Sequence, residues 1–549
     1  MNQIELNLKT VIIKAVKSCF DVDVEMDQVV IEIPRDTSFG DYATNAAMRL
    51  AKPLKKRPVD IANELKEELL KESDFIRTCE VAGPGFLNFR LHTASLSKVI
   101  STVLQMQDRY GESNSGNHLK INVEYVSANP TGDLHPGHAR GAAIGDSCTR
   151  LLKKAGYDVT REYYINDAGN QINNMAKSLQ ARYYQEFNKD VAVPEDGYNG
   201  VDLIDIAKAM KEEFGDTYLL EDLNESLPAF RSYGLKAELD KLKRDLEAFR
   251  CEFDVWTSEQ SIYDRGMVEK AINRLTEMGM TYEKDGALWL KTTEYGDDKD
   301  RVIVKSNGLN TYLTPDIAYH LDKYDRGYEK LVDLFGADHH GYIVRLHAAI
   351  QALGYPSDAL EIKIIQMARM IKDGEEFKLS KRTGKAVSLR DLMEEAGVDA
   401  VRYYFASRAA DTHMDFDLDA AVKKSNDNPV YYAQYAHARV CSILRGKEDL
   451  VEVKDSYDLL THPKETDLLK HINEFSEMVA DAAKEMAPNK VCNYIQKLAS
   501  LFHTFYNECK VLDESNPDLS KERLALVSAV KITLKNALEL IGVSAPERM

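Results

Sequence analysis

The sequence predicts a doubly wound, parallel-sheet α/β core preceded by an α+β unit and followed by an all-α bundle. Three observations carry that expectation. Between roughly residues 119 and 367, short β-rich runs alternate with helical stretches, the texture of successive βα units. Before that region strands and helices are mixed, with a Gly-Pro-Gly turn feeding a strand at Gly83–Phe89. Beyond about residue 425 strand signals vanish and only helical periodicity remains. A 549-residue chain exceeds what one hydrophobic core normally serves, so three domains are expected, at 1–112, 113–425 and 426–549.

In the first domain, the opening stretch through Phe20 is amphipathic, a first helix rather than a cleaved leader. Val29–Ile33 is a short strand and Asp60–Lys71 a helix of period 3.6. Gln105–His118, rich in Asp, Ser, Asn and Gly, is expected to be a linker. In the core, Ile121–Val126 and Asp158–Ile165 are strands, each followed by a helix. Arg301–Lys305, Lys330–Phe335 and Glu361–Met367 continue the sheet, and a mostly helical, acidic insertion fills about 190–290.

Composition narrows the function. With 71 Lys and Arg against 89 Asp and Glu the net charge is −18, which excludes a polycation that grips nucleic acid through bulk charge. Local basic patches remain available, such as Arg49, Lys52, Lys55, Lys56 and Arg57, or Lys153 and Lys154. No stretch approaches the ~20 apolar residues of a spanning helix, so a cytoplasmic protein is expected. The seven cysteines are scattered without a CxxC pair, which predicts free thiols and no structural zinc.

The chemistry concentrates after the first core strand, in Val123–His138. A strand ends, a Gly/Pro/Asn loop turns, and Pro136 falls where a helix begins. His135 and His138, three apart, project from the first turn toward one side. The free N–H groups and dipole of that helix end suit a triphosphate, and two imidazoles there can donate to its oxygens. Gly137 clears the side chain where a base approaches the backbone. A metal site would need further ligands, which Asp133 and Cys148 supply poorly. Some 240 residues later, Glu376–Lys385 gathers four cations around a Ser/Thr/Gly loop, suited to closing over pyrophosphate.

On these residues the chain resembles the class I aminoacyl-tRNA synthetases. His135-Pro136-Gly137-His138 stands for their first signature, with Pro136 where a small aliphatic is usual, and Lys378-Leu379-Ser380-Lys381-Arg382 for their second. Within that class it resembles the arginyl-tRNA synthetases, through Glu124–Gly132, Phe39–Asn45, Gly83–Phe89, Asn428–Arg439 and the ending Gly542–Met549. The resemblance implies ligation of L-arginine to tRNA(Arg) through an arginyl-adenylate, with ATP as substrate, Mg2+ accompanying it, and a monomeric enzyme. It also implies that arginine activation waits for bound tRNA.

Residue by residue, it implies that His135, His138, Lys378 and Lys381 stabilise charge at phosphorus, with Gly137 and Ser380 also lining the ATP site. Glu124 and Asp316 match the acids that take the guanidinium, and Tyr312 the aromatic packed beside them. Asn129, with Ser127, matches the group holding the α-amino end, and His340 falls where some members carry a glutamine. No protein metal ligand is implied. The first domain is expected at the tRNA elbow and the bundle at the anticodon, with Tyr431, Tyr432, Tyr435, Phe502, Phe505 and Tyr506 available for stacking or core. Two alternatives stand beside this one: another nucleotidyl-transfer enzyme, and a silent tRNA-binding paralogue, which degraded signatures would favour.

Overall fold

A computed structural model describes residues 3–34, 36, 39–198, 200–220, 222–377 and 386–549. The chain opens with helix α1 (Gln3–Phe20), strands β1 (Ile31–Glu32) and β2 (Tyr42–Thr44), helices α2 (Ala46–Leu54) and α3 (Pro58–Glu72), and strands β3 (Ile76–Ala82) and β4 (Phe86–Leu91). These strands form an antiparallel sheet in the order β1-β2-β4-β3. Leu8, Ile12, Ile61, Leu65, Leu69 and Phe89 bury its helix-facing side. The strand expected over Val29–Ile33 shrinks to two residues.

Helix α4 (Thr93–Met106) leads into the core. The stretch expected as a linker is pinned rather than loose. The Tyr110 hydroxyl donates to the Ile472 carbonyl at 2.6 Å, and Asn536 Nδ2 donates to the carbonyls of Gln107 and Tyr110 at 2.9 and 3.0 Å. Gly111, at φ +98°, leaves space that the Phe475 ring fills.

The core runs β5 (Lys120–Glu124), α5 (Pro136–Lys154), β6 (Asp158–Ile165), α6 (Asn170–Gln185), α7 (Val201–Phe214), α8 (Leu223–Ala248) and β7 (Val255–Ser258). It continues through α9 (Glu259–Asp264), α10 (Met267–Glu277), β8 (Thr281–Lys284), β9 (Ala287–Leu290), β10 (Arg301–Val304), α11 (Leu313–Asp325), β11 (Lys330–Gly336), α12 (Ile343–Ala352) and β12 (Leu360–Ile365). Five strands make one parallel sheet in the order β12-β11-β5-β6-β7. The chain leaves β5 toward β6 and returns later to its other flank as β11. The carboxyl end of β5 is therefore the switch point, where such folds open a crevice.

Two expectations are corrected here. Arg301–Lys305 is no strand of this sheet: β10 pairs antiparallel with β9 in a separate three-stranded β10-β9-β8 sheet. The region 190–290 is helical only in part, since it also supplies β7, the fifth parallel strand, together with β8 and β9. β7 has just four residues, too few to display a period.

Past the sheet come β13 (Ala368–Lys372), β14 (Glu375–Glu376), α13 (Leu389–Ala396), α14 (Val398–Ala406), β15 (Met414–Asp417) and α15 (Leu418–Val422). The chain ends in α16 (Pro429–Leu444), α17 (Pro463–Asn473), α18 (Phe475–Glu485), α19 (Asn489–Glu508) and α20 (Pro517–Leu540). Their apolar faces, among them Leu468, Leu498, Phe502, Leu526 and Leu534, close a buried core. Phe502 and Phe505 are core residues there. Among the described residues, no helix is long and apolar enough to cross a membrane.

Candidate active site

The site begins where β5 stops. Val126 and Ser127 adopt φ +69° and +39°, a left-handed kink that a β-branched residue enters only under tertiary constraint. It turns the chain under β6: the Tyr164 N–H donates to Ser127 Oγ at 3.1 Å, and that hydroxyl donates to Glu124 Oε1 at 3.0 Å. Downstream, His135 is the N-cap of α5 and Pro136 its first residue.

The two histidines form a reciprocal cap. His135 Nδ1 accepts the N–H groups of Gly137 and His138 at 3.0 and 3.3 Å, while His138 Nδ1 accepts the His135 N–H at 3.4 Å. The rings stack with centroids 3.6 Å apart. An Nδ1 that accepts a hydrogen bond carries no proton, so each ring bears its hydrogen on Nε2. Burial pushes His138 down to about 3 and also lowers His135, so both are neutral donors at neutral pH. A Cβ on Gly137 would meet the His135 ring at 2.8 Å and Met367 Sδ at 3.0 Å, so glycine is needed for the ring pair itself.

At the carboxyl end of β5 lies an acidic slot. Glu124 is 6% exposed, and its Oε2 accepts from Lys323 Nζ at 2.6 Å. Lys323 also donates to Asp333 Oδ1 at 3.0 Å; His320 Nε2 meets Asp333 Oδ2 at 2.7 Å and its Nδ1 meets the Asp316 carbonyl at 2.7 Å. The Tyr342 hydroxyl donates to Asp316 Oδ2. Burial, with help from Glu124 and Asp333, raises Asp316 to about 6. Glu259, at the start of α9, is pushed to about 7 by burial and by Asp316. Carboxyls raised this far are short of a cation.

The fold brings Glu124 and Asp316, both named from the sequence, into one slot together with Glu259, Tyr342, Lys323, His320 and Asp333, which sequence reasoning passed over. One signal was readable: Asp316, His320 and Lys323 fall at i, i+4 and i+7, a polar stripe on an otherwise buried helix. Asn129 is exposed and donates to Gln171 Oε1 at 2.7 Å. Tyr312 is not packed beside the acids; it is 84% exposed at the N-cap of α11. His340 lies in the 3-10 turn Ala337–Tyr342, its side chain outside the described part. Lys378, Ser380 and Lys381 lie outside the described residues.

The basic runs prove largely committed. Lys56 pairs with Glu64, Arg57 with Asp60, and Lys154 with the Asp108 carbonyl and Glu112. In the bundle, Tyr431 and Tyr435 stack at 6.1 Å, and the Arg439 guanidinium lies 4.4 Å from the Tyr506 ring centroid.

Comparison with known proteins gives the site its setting. Residues 99–441 match the family model for the class I (R) tRNA synthetase catalytic domain, residues 6–91 the arginyl tRNA synthetase N terminal domain, and residues 433–549 the DALR anticodon binding domain. The chain is 56% identical to arginine–tRNA ligase 1 of Halalkalibacterium halodurans over 553 aligned residues, all of both chains. It is also 56% identical to the arginine–tRNA ligase of Bacillus subtilis, over 96% of this chain and 95% of that one. The solved arginyl-tRNA synthetase of Thermus thermophilus, 23% identical, superposes with a TM-score of 0.74 over the full length of both, a likeness of fold.

Proposed function

Because the chain belongs to the arginyl-tRNA synthetase family and charges tRNA with arginine, we propose that the crevice at the carboxyl end of β5 performs both steps of that reaction. In the first, the arginine carboxylate attacks the α-phosphorus of MgATP and pyrophosphate leaves. In the second, the 2′-hydroxyl of the tRNA's terminal adenosine attacks the adenylate carbonyl and AMP leaves. Substrate groups supply both nucleophiles, so the protein's work is positioning and charge stabilisation.

The triphosphate is received by the N-terminus of α5, with Gly137 beneath it and the Nε2–H groups of His135 and His138 donating to its oxygens. Mg2+ arrives with ATP, held by phosphate oxygens and water. Lys378 and Lys381, with Ser380, are assigned to the departing pyrophosphate, whose negative charge their ammonium groups would meet. The guanidinium enters the slot of Glu124, Asp316 and Glu259, which suits a planar fork of donors better than a compact ammonium. Ser127, Asn129 and His340 serve the α-amino end.

The tRNA is held through domains 1–112 and 426–549, by a monomeric cytoplasmic enzyme. The observation that carries this reading is that the β5–α5 unit holds a reciprocal histidine cap at the N-terminus of α5 and, at the end of β5, Glu124 in one slot with the half-buried Asp316 and Glu259. ATP–pyrophosphate exchange tests it: exchange is expected with arginine and only when tRNA(Arg) is present. Exchange driven by lysine but not by arginine would overturn the substrate assignment.

A further inference from the structure

One cation behind the acidic slot has no part in the chemistry above. Lys323 is wholly buried, donates to Glu124 Oε2 and Asp333 Oδ1 at 2.6 and 3.0 Å, and has its ammonium 4.3 Å from the Tyr319 ring centroid. A buried lysine is costly and stays charged only when carboxylates enclose it. Burial does oppose the charge, but Asp333, Glu124 and Glu162 outweigh it.

Counting lone pairs shows what the contact does to Glu124. A carboxylate offers about four acceptor sites. Lys323 takes one on Oε2 and the Ser127 hydroxyl one on Oε1. With both oxygens anchored from different elements, α11 and the β5 loop, and the Tyr319 hydroxyl also against the group, the plane of the carboxylate is set and the lone pairs left to it point in fixed directions, as a planar guanidinium requires.

The other arm of Lys323 reaches Asp316. Asp333 bridges Lys323 and His320, and His320 contacts both a carboxylate and the Asp316 carbonyl. A ring facing two acceptors donates from both nitrogens, so it is held as imidazolium. Burial opposes that charge and Asp333 restores it, leaving His320 raised. Lys323 and His320 then balance Glu124 and Asp333, and Asp316 and Glu259 are left to meet the charge of the substrate.

We infer that Lys323 is a positioning residue for arginine recognition, orienting the Glu124 carboxylate and, through Asp333 and His320, fixing the register of Asp316. The inference rests on the reading of Glu124 as a guanidinium acceptor, and its test separates the two. Lys323→Met keeps the length and removes the charge. It is expected to raise the arginine KM by about 10- to 100-fold, the range for stranding one member of a buried pair, while kcat and the ATP KM stay within about twofold.

A purely structural lysine would move the ATP and arginine constants together. Parallel rises, or an arginine KM within about twofold of the parent, overturn the inference. Should Lys323→Met fail to accumulate as folded protein, Asp333→Asn decides instead: it frees Lys323 to compete with substrate for Glu124, and the same arginine-only rise is expected. Glu124→Gln is measured alongside. If it leaves the arginine KM unchanged, the assignment of Glu124 falls and the role of Lys323 with it; if it raises KM and the Lys323 and Asp333 variants do not, only the inference falls.

Discussion

A hydrogen bond accepted at Nδ1 decides what each histidine can give. Because both Nδ1 atoms are occupied by backbone N–H groups, only Nε2–H remains for phosphate. A glutamine amide can reach the Nε2 position and an asparagine amide reaches only Nδ1. His138→Gln should therefore retain more of kcat than His138→Asn, whose loss should approach the ~10²–10³-fold typical of a missing transition-state donor. Steady-state aminoacylation of both variants checks the order, and Asn equalling Gln would show that Nε2 is not the working atom. The acids make a second prediction. Burial raises Asp316 to about 6 and Glu259 to about 7, above their unfolded values. Ionising them thus costs stability as pH rises through those values, whereas a bound guanidinium favours the ionised forms. Arginine binding should release protons below neutrality, with affinity climbing by up to about tenfold per pH unit per proton and levelling once both are ionised. Calorimetric titration in buffers of different ionisation enthalpy counts the protons, and Glu259→Gln should abolish the release nearest pH 7.

At the scale of elements, the site depends on how closely α5 lies against β5. Gly145 allows that approach, since a Cβ there would fall 2.4 Å from the ring of Tyr125, the residue that follows β5. Tyr125 is itself clamped, its hydroxyl donating to the Glu252 carbonyl at 3.0 Å. Gly145→Ala should lift the helix, cost about 1–3 kcal/mol by overpacking and raise the ATP KM, because the histidines ride on the displaced element. Thermal unfolding and ATP titration read the two effects. The same pair of elements explains what was legible in the sequence. The order of β5, α5 and β6 could be read because Pro136 marks a helix start, and Gly132 and the neighbouring prolines mark a turn. β7 could not, because Val255–Ser258 is a strand by virtue of its partner β6 rather than of any pattern of its own. In the slot, Glu124 and Asp316 were reached through motif resemblance. Glu259 and Tyr342 come from elements far apart in the chain, and only folding brings them to Asp316. Tyr312 was placed beside the acids through the same resemblance, and at the N-cap of α11 its side chain stands exposed instead.

Across the whole molecule, the chain's end returns to the helix that carries the histidines. Arg402 on α14 donates to the carbonyls of Ile541 and Phe249 at 3.0 and 2.9 Å and pairs with Asp146 on α5, which Arg150 also contacts at 2.7 Å. Gly542, at φ +66°, has no room for a Cβ, which would fall 2.3 Å from the Arg402 guanidinium. Beside this pair, Asp399 accepts from Ser544 N and Gln434 Nε2 at 2.9 and 2.8 Å and is joined by Arg250. The end of the bundle, the end of α8 and the middle of α5 therefore share one buried polar hub, about 16 Å along α5 from His135 at 1.5 Å per residue. A hub of this kind couples its parts only while every charge is paired. Removing one partner leaves a buried ion uncompensated, at about 3–5 kcal/mol, whereas removing both together costs much less. Arg402→Met and Asp146→Asn should each lower the opening free energy of the α5 amides, measured by hydrogen exchange. The double variant should be milder than the two effects added, by a coupling of about 1–3 kcal/mol. Simple additivity would show that the tail and the histidine helix merely lie side by side. Coupling would show that the grip of the bundle on its own terminus is transmitted to α5, the helix whose first turn faces the nucleotide.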